Sequence, residues 1–97
     1  MVKRVIWSRK AIADRISILD YWQKRIGSTS YSARLDAEIR RVVKMIAQYP
    51  AIGRTLEGRH ERFFVISHYL IVYTEKPDRI EILHVWDSRR NPDTLIP

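Results

Sequence analysis

The sequence predicts an α+β domain with element order β-α-α-β-β-β, a helical hairpin packed on one face of a small, mostly antiparallel sheet. Three observations carry this. Residues 9–46 hold two stretches of helical apolar periodicity separated by the link Gly27-Ser28-Thr29-Ser30. Residues 62–86 hold three short runs rich in Val, Ile, Tyr and Phe, punctuated by turn residues. The whole chain has 97 residues, which supports one core and not two, so residues 1–97 are read as a single domain.

Each element has its own justification. Val2 to Trp7 is short, β-branched and aromatic, and reads as a strand. Ser8 can cap the helix that follows at about 9–26, in which Ile12, Ile16, Leu19 and Ile26 form a stripe widened by Ala11, Ile18 and Trp22. Gly27 ends it, because glycine enters the left-handed conformation without steric cost. Leu35, Ile39, Val42 and Ile46 repeat at i, i+4, i+7 and i+11 in a second helix that Pro50 terminates. The short link returns this helix antiparallel to the first. Arg62–Ile66, Tyr69–Thr74 and Ile80–Trp86 are then three strands, joined by Ser67-His68 and by Lys76-Pro77-Asp78-Arg79. Alternation along the last strand places His84 on one face with Ile82 and Trp86.

Composition narrows the function. Apolar residues make up 45% of the chain, enough to offset chain entropy, so the sequence is not a disordered segment. The absence of Cys removes disulfides, thiolate nucleophiles and Cys-based zinc sites. His60, His68 and His84 show no metal-ligand spacing, and the three glycines are isolated, so neither a metal nor a nucleotide cofactor is expected. No apolar run approaches the ~20 residues of a membrane span, and the first residues lack a signal-peptide pattern. The expectation is a cytoplasmic protein without membrane contact. Its net charge is +7, and residues 1–50 carry all of it: eleven Lys/Arg against four Asp/Glu, while residues 51–97 hold seven of each. Such asymmetry points to an anionic partner for the first half, against the plainer reading of a solvated helix face.

Arg54, Arg59, Arg62, Arg89 and Arg90 gather beside the sheet, with Tyr69, His84 and Asp87. Arginine suits phosphate because its planar paired donors match phosphoryl oxygens and stabilise developing charge. The competing reading pairs these arginines with Glu57, Glu61, Glu81 or Asp87. Strand direction also sets Arg62 and Arg89 at opposite ends unless the pairing is staggered. His84 reads as a half-buried structural histidine more readily than as a base. Tyr21 and Trp22 are either packing residues or an exposed partner-binding patch.

The order of elements, with Tyr49-Pro50-Ala51-Ile52-Gly53-Arg54, Arg62 opening a strand, Tyr69-Leu70-Ile71-Val72-Tyr73, Ile80-Glu81-Ile82-Leu83-His84-Val85-Trp86 and Arg90-Asn91-Pro92, resembles the RelE/ParE superfamily. These are toxins of bacterial type II toxin–antitoxin modules, among them plasmid stabilisation proteins. The resemblance covers nearly the full chain and implies a RelE/ParE-like fold and a growth-arresting toxin neutralised by a cognate antitoxin. The antitoxin would be acidic where it contacts the chain, and operator DNA would be met only through it. On the charge map, Tyr21, Trp22, Arg34, Arg40, Arg41 and Lys44 form the antitoxin face.

The target divides the superfamily. The RelE-like branch cleaves mRNA on the ribosome without metal. On that reading Arg62 and Arg90 would act on the scissile phosphate, with His84 or Asp87 assisting and Arg54, Arg59, Arg89 and Tyr69 binding substrate. Asp87 stands where many members carry His, and no Tyr follows Trp86, so the acid and base are unassigned. The ParE-like branch inhibits DNA gyrase and lacks the nuclease residues; the Tyr-Pro-x-x-Gly-Arg link and Arg-Asn-Pro ending look more like it. A third reading is an inactive toxin-like module that acts only with its antitoxin in repression.

Overall fold

A computed structural model describes residues 2–89. The elements are β1 (Arg4–Trp7), α1 (Arg9–Ile26), α2 (Ser30–Gln48), a 3-10 turn (Pro50–Ile52), β2 (Arg54–Thr55), β3 (Arg62–Ile66), β4 (Tyr69–Glu75) and β5 (Arg79–Asp87). They form one five-stranded sheet in the order β1-β5-β4-β3-β2, with β1 parallel to β5 and every other pair antiparallel. The two helices pack on one face of the sheet. The α+β architecture is therefore as the sequence predicts, with one strand added: two-residue β2 is too short to leave a periodic pattern. No helix is long and apolar enough to cross a membrane among the described residues.

The second helix follows its stripe. Leu35, Ile39, Val42 and Ile46 are buried and meet Ile71, Tyr73, Ile80 and Ile82 of the sheet in one cluster. The first helix follows its stripe only in part. Ile12, Ile16 and Ile26, placed in the core by the predicted stripe, are 46%, 62% and 50% exposed. The other members of the predicted stripe, buried Ala11 and half-buried Ile18, Leu19 and Trp22, do face the core. Ser8 sets this rotation. Its hydroxyl accepts from the Ala11 N–H at 3.0 Å and donates to the Leu83 carbonyl at 2.9 Å, so the cap is also a tether to β5. At the other end Gly27 takes φ 73°, and its N–H donates to the Gln23 carbonyl, closing α1.

A bulge at Leu83 corrects the face assigned to His84. Tyr73 pairs with Ile82, but its neighbour Val72 pairs with His84, leaving Leu83 as the extra residue. Ile80, Ile82 and Val85 consequently face the helices, whereas His84 lies with Val72 on the opposite face of the sheet. Simple alternation cannot anticipate an inserted residue.

The Ser67-His68 turn is real although it lacks glycine. Ser67 holds φ 54°, the left-handed region that disfavours a side chain. Ser67→Gly is expected to raise stability by about 0.5–1 kcal/mol, the relief of strain outweighing glycine's added chain entropy. Denaturant unfolding with an unchanged slope checks it; a fall in midpoint would show that the serine contributes more than it strains.

Candidate functional site

The sheet separates the nominated residues into two corners. At the first, the Tyr73 hydroxyl, fully buried, donates to the Pro50 carbonyl at 2.6 Å and accepts from the Gly53 N–H at 2.9 Å. Arg62, paired with Tyr73 across β3 and β4, donates from Nη1 to the Gly53 carbonyl at 2.8 Å and more distantly to the Ala51 carbonyl at 3.4 Å. Pro50-Ala51-Ile52-Gly53 is thus clamped to the sheet through its own backbone. Gly53 is required sterically: a Cβ there would stand 2.5 Å from the Tyr73 hydroxyl. Burial raises the Tyr73 pKa above the ordinary phenol range, consistent with a hydroxyl that donates. Arg54 lies exposed on β2 beside this clamp, opposite Phe63. Arg59 in the following loop pairs with Glu61 at 3.3 Å.

The second corner is at the other end of β4. Tyr69 pairs with Asp87, four residues and roughly 13 Å along the strand from Tyr73. Trp22 of α1 donates its indole N–H to the Tyr69 hydroxyl at 2.6 Å and stacks edge-on with Tyr21 and Tyr31 at 5.1 Å. Burial, more than any charge, raises the Tyr69 pKa. Arg89 reaches back to both carboxylate oxygens of Asp87, at 2.9 and 2.7 Å, and this pairing raises its pKa further. A cleft of about 650 Å³ opens here between α1 and the end of β5, lined by Lys10, Asp14, Tyr21, Tyr69, Asp87 and Arg89. Each cation in it meets a carboxylate, since Lys10 pairs with Asp14.

The structure therefore brings Tyr69, Asp87 and Arg89 together, and separately Arg54 and Arg62. It does not bring Arg62 to Asp87 or Arg89. His84 belongs to neither corner: it sits mid-strand on the outer face, its Nδ1 buried without a hydrogen-bond partner. Arg90 and the Arg90-Asn91-Pro92 motif lie outside the described residues.

On the hairpin, Arg41 pairs with Glu38 at 2.6 Å and Arg40 with Asp36 at 3.4 Å, while Arg34 stacks over the Tyr31 ring at 5.9 Å. Lys44 is exposed, as is half of Tyr21, whereas Trp22 is half-buried. Missing from the nominated set are the exposed Ile12 and Ile16. Asp14, two residues from each and on the opposite side of the helix, was the available signal: its carboxylate accepts the Val85 N–H at 3.1 Å and marks the face turned to the sheet.

A helical hairpin on one face of a five-stranded sheet, with a Tyr-Pro-x-x-Gly-Arg clamp beside it, is the arrangement that the sequence resemblance implied. The family model described as ParE toxin of type II toxin-antitoxin system, parDE, matches residues 5–92. The chain belongs to this family of toxins. Among solved structures it is similar to a chain of a chromosomal ParDE toxin–antitoxin system from P. aeruginosa, with 25% identity, a TM-score of 0.75, and coverage of 87% of this chain and 94% of that one. No curated protein sequence matches it.

Two outcomes follow from the corners. Tyr73→Phe removes both the donor to Pro50 and the acceptor for Gly53, and is expected to cost about 1–3 kcal/mol in urea unfolding. Burial lowers the His84 pKa below the ordinary histidine range, so the folded state resists protonation. That stability is present above pH 6.5 and falls as the pH drops toward the folded-state pKa. His84→Leu should flatten this acid limb in thermal unfolding at pH 5 to 7; an identical limb would place the titration elsewhere.

Proposed function

We propose that the chain arrests growth by inhibiting DNA gyrase through surface contacts, without cutting RNA, and that an acidic antitoxin binding the helical hairpin neutralises it in the cytoplasm. The observation that carries this reading is the separation of the arginines. Cleavage by the 2′-hydroxyl route needs cationic stabilisation and an acid–base pair converging on one phosphate. Arg62 holds loop carbonyls at one corner, and Arg89 is paired with Asp87 at the other. His84 faces neither. The Tyr-Pro-x-x-Gly-Arg link, which looks ParE-like in sequence, supports the same reading by serving as the clamp under Arg54. The ParDE system named for the similar P. aeruginosa chain supports an antitoxin partner.

Induction without antitoxin is expected to stop growth, with gyrase-linked DNA breaks and loss of supercoiling activity in vitro. Mapping of mRNA 5′ ends is expected to show no codon-phased cleavage. Codon-phased breaks lost in Arg62→Ala would replace this reading with the ribonuclease, and normal growth would replace it with the inactive module.

The antitoxin face has its own outcome. Arg34→Gln, Arg41→Gln and Lys44→Gln together should weaken binding of the protein encoded by an adjacent acidic reading frame at least tenfold at low salt, and less at high salt. Equal affinity at low salt would remove the charge argument.

A further inference from the structure

Among the described residues from 51 to 89, Arg54 is the one arginine without a carboxylate or carbonyl partner. Arg59, Arg79 and Arg89 sit on carboxylates and Arg62 on loop carbonyls. The ground around Arg54 is apolar and open. Tyr49 and Ile52 are 57% and 42% exposed, and the Ile52 N–H donates to the Tyr49 carbonyl at 3.0 Å. A 3-10 turn of this kind brings residues three apart onto one side. Gly53 is extended, at φ −75° and ψ 156°, and the position its Cβ would take faces the Tyr73 hydroxyl. Alternation therefore turns Ile52 and Arg54, on either side of Gly53, away from Tyr73. Arg54 lies opposite half-buried Phe63 on β3, and Val65, two residues further along the same face, is 54% exposed. A single unpaired cation is thus set among apolar side chains at the β2 end of the sheet.

The segment that carries this patch is held in place from beneath. The Tyr73 hydroxyl and Arg62 Nη1 make four hydrogen bonds to Pro50, Ala51 and Gly53, the longest 3.4 Å. A surface fixed in this way loses little conformational entropy when a partner docks on it. Tyrosine and arginine are also the residue types that dominate binding energy at interfaces. We propose that Tyr49, Ile52, Arg54, Phe63 and Val65 form the surface by which the toxin docks on its protein target, an inference that rests on the gyrase reading above. Charge selects the occupant. A phosphate backbone calls for several convergent cations, whereas Arg54 stands alone on apolar ground and residues 51–97 carry no net charge. The matching surface is an apolar protein patch that offers one carboxylate to Arg54. A second copy of the chain does not supply it, because two-fold pairing of the patch sets Arg54 against its own copy.

The test uses the full chain, freed from its antitoxin, and purified DNA gyrase, with gyrase binding and inhibition of supercoiling as readouts. Arg54→Glu and Ile52→Asp, both at exposed side chains, are expected to raise the dissociation constant and the half-inhibiting concentration at least tenfold. The thermal unfolding midpoint of both variants should stay with that of the wild type. Arg25→Glu makes an equal change of charge at an exposed position near the end of α1, and is expected to alter either readout less than twofold. Inhibition retained by Arg54→Glu and Ile52→Asp overturns this docking surface and leaves the gyrase reading standing. An equal loss in Arg25→Glu assigns the effect to net charge and overturns the surface too. So does a dimer of the free chain, seen by ultracentrifugation, that Ile52→Asp dissociates. A wild-type chain that neither binds nor inhibits gyrase overturns the gyrase reading and this inference with it.

Discussion

The architecture depends on the attachment of Ser8 to the central strand. Its N–H donates to the Ile82 carbonyl and its hydroxyl to the Leu83 carbonyl, while that same oxygen receives the Ala11 N–H. One residue therefore ends β1, begins α1 and ties both to β5 where the bulge stands. Beyond Ile82 the β5 edge has no β1 partner, and α1 takes over, with Asp14 accepting the Val85 N–H one turn further along. Ala11 is fully buried between these two polar contacts. Its small side chain lets the helix axis come close enough for both bonds. A larger residue would lift α1 from the strand and leave β5 backbone groups without partners.

That attachment explains which parts of the fold were legible in sequence. In α2 the only demand on the helix is apolar packing, so hydropathy and orientation agree, and Leu35, Ile39, Val42 and Ile46 all reach the core. In α1 the orientation is set by hydrogen bonds from Ser8 and Asp14, which an apolar periodicity does not register. Ile12 and Ile16 are displaced to the surface although their spacing is as regular as that of α2. The Leu83 bulge is hidden for a related reason. It shifts pairing by one residue without changing the strand's composition, and so moved His84 to the face opposite Ile82.

The candidate site was legible in its residue types and not in its connections. Arg62, Gly53 and Arg54 could be picked out by motif, but the partner that gives the motif its purpose, Tyr73, reads in sequence as one more β-strand aromatic. Its hydroxyl bonds to Gly53 and Pro50, 20 and 23 positions earlier, and only tertiary structure supplies that. Arg62 meets the same loop from a neighbouring strand. Strand direction, by contrast, was enough to separate Arg62 from Arg89, because an antiparallel meander fixes which ends can meet.

The distribution of charge now has a structural counterpart. In the half of the chain without net charge, Arg62 is held on loop carbonyls and Arg59, Arg79 and Arg89 on carboxylates. The half with the excess forms β1 and the hairpin, where the exposed isoleucines also lie. Full burial of one such side chain contributes about 1.5–3 kcal/mol, so leaving two of them roughly half exposed forgoes stabilisation that the free chain could have used. The cause is polar: Ser8 and Asp14 turn that face of α1 away from the core because both are held by bonds to β5, to the Leu83 carbonyl and from the Val85 N–H.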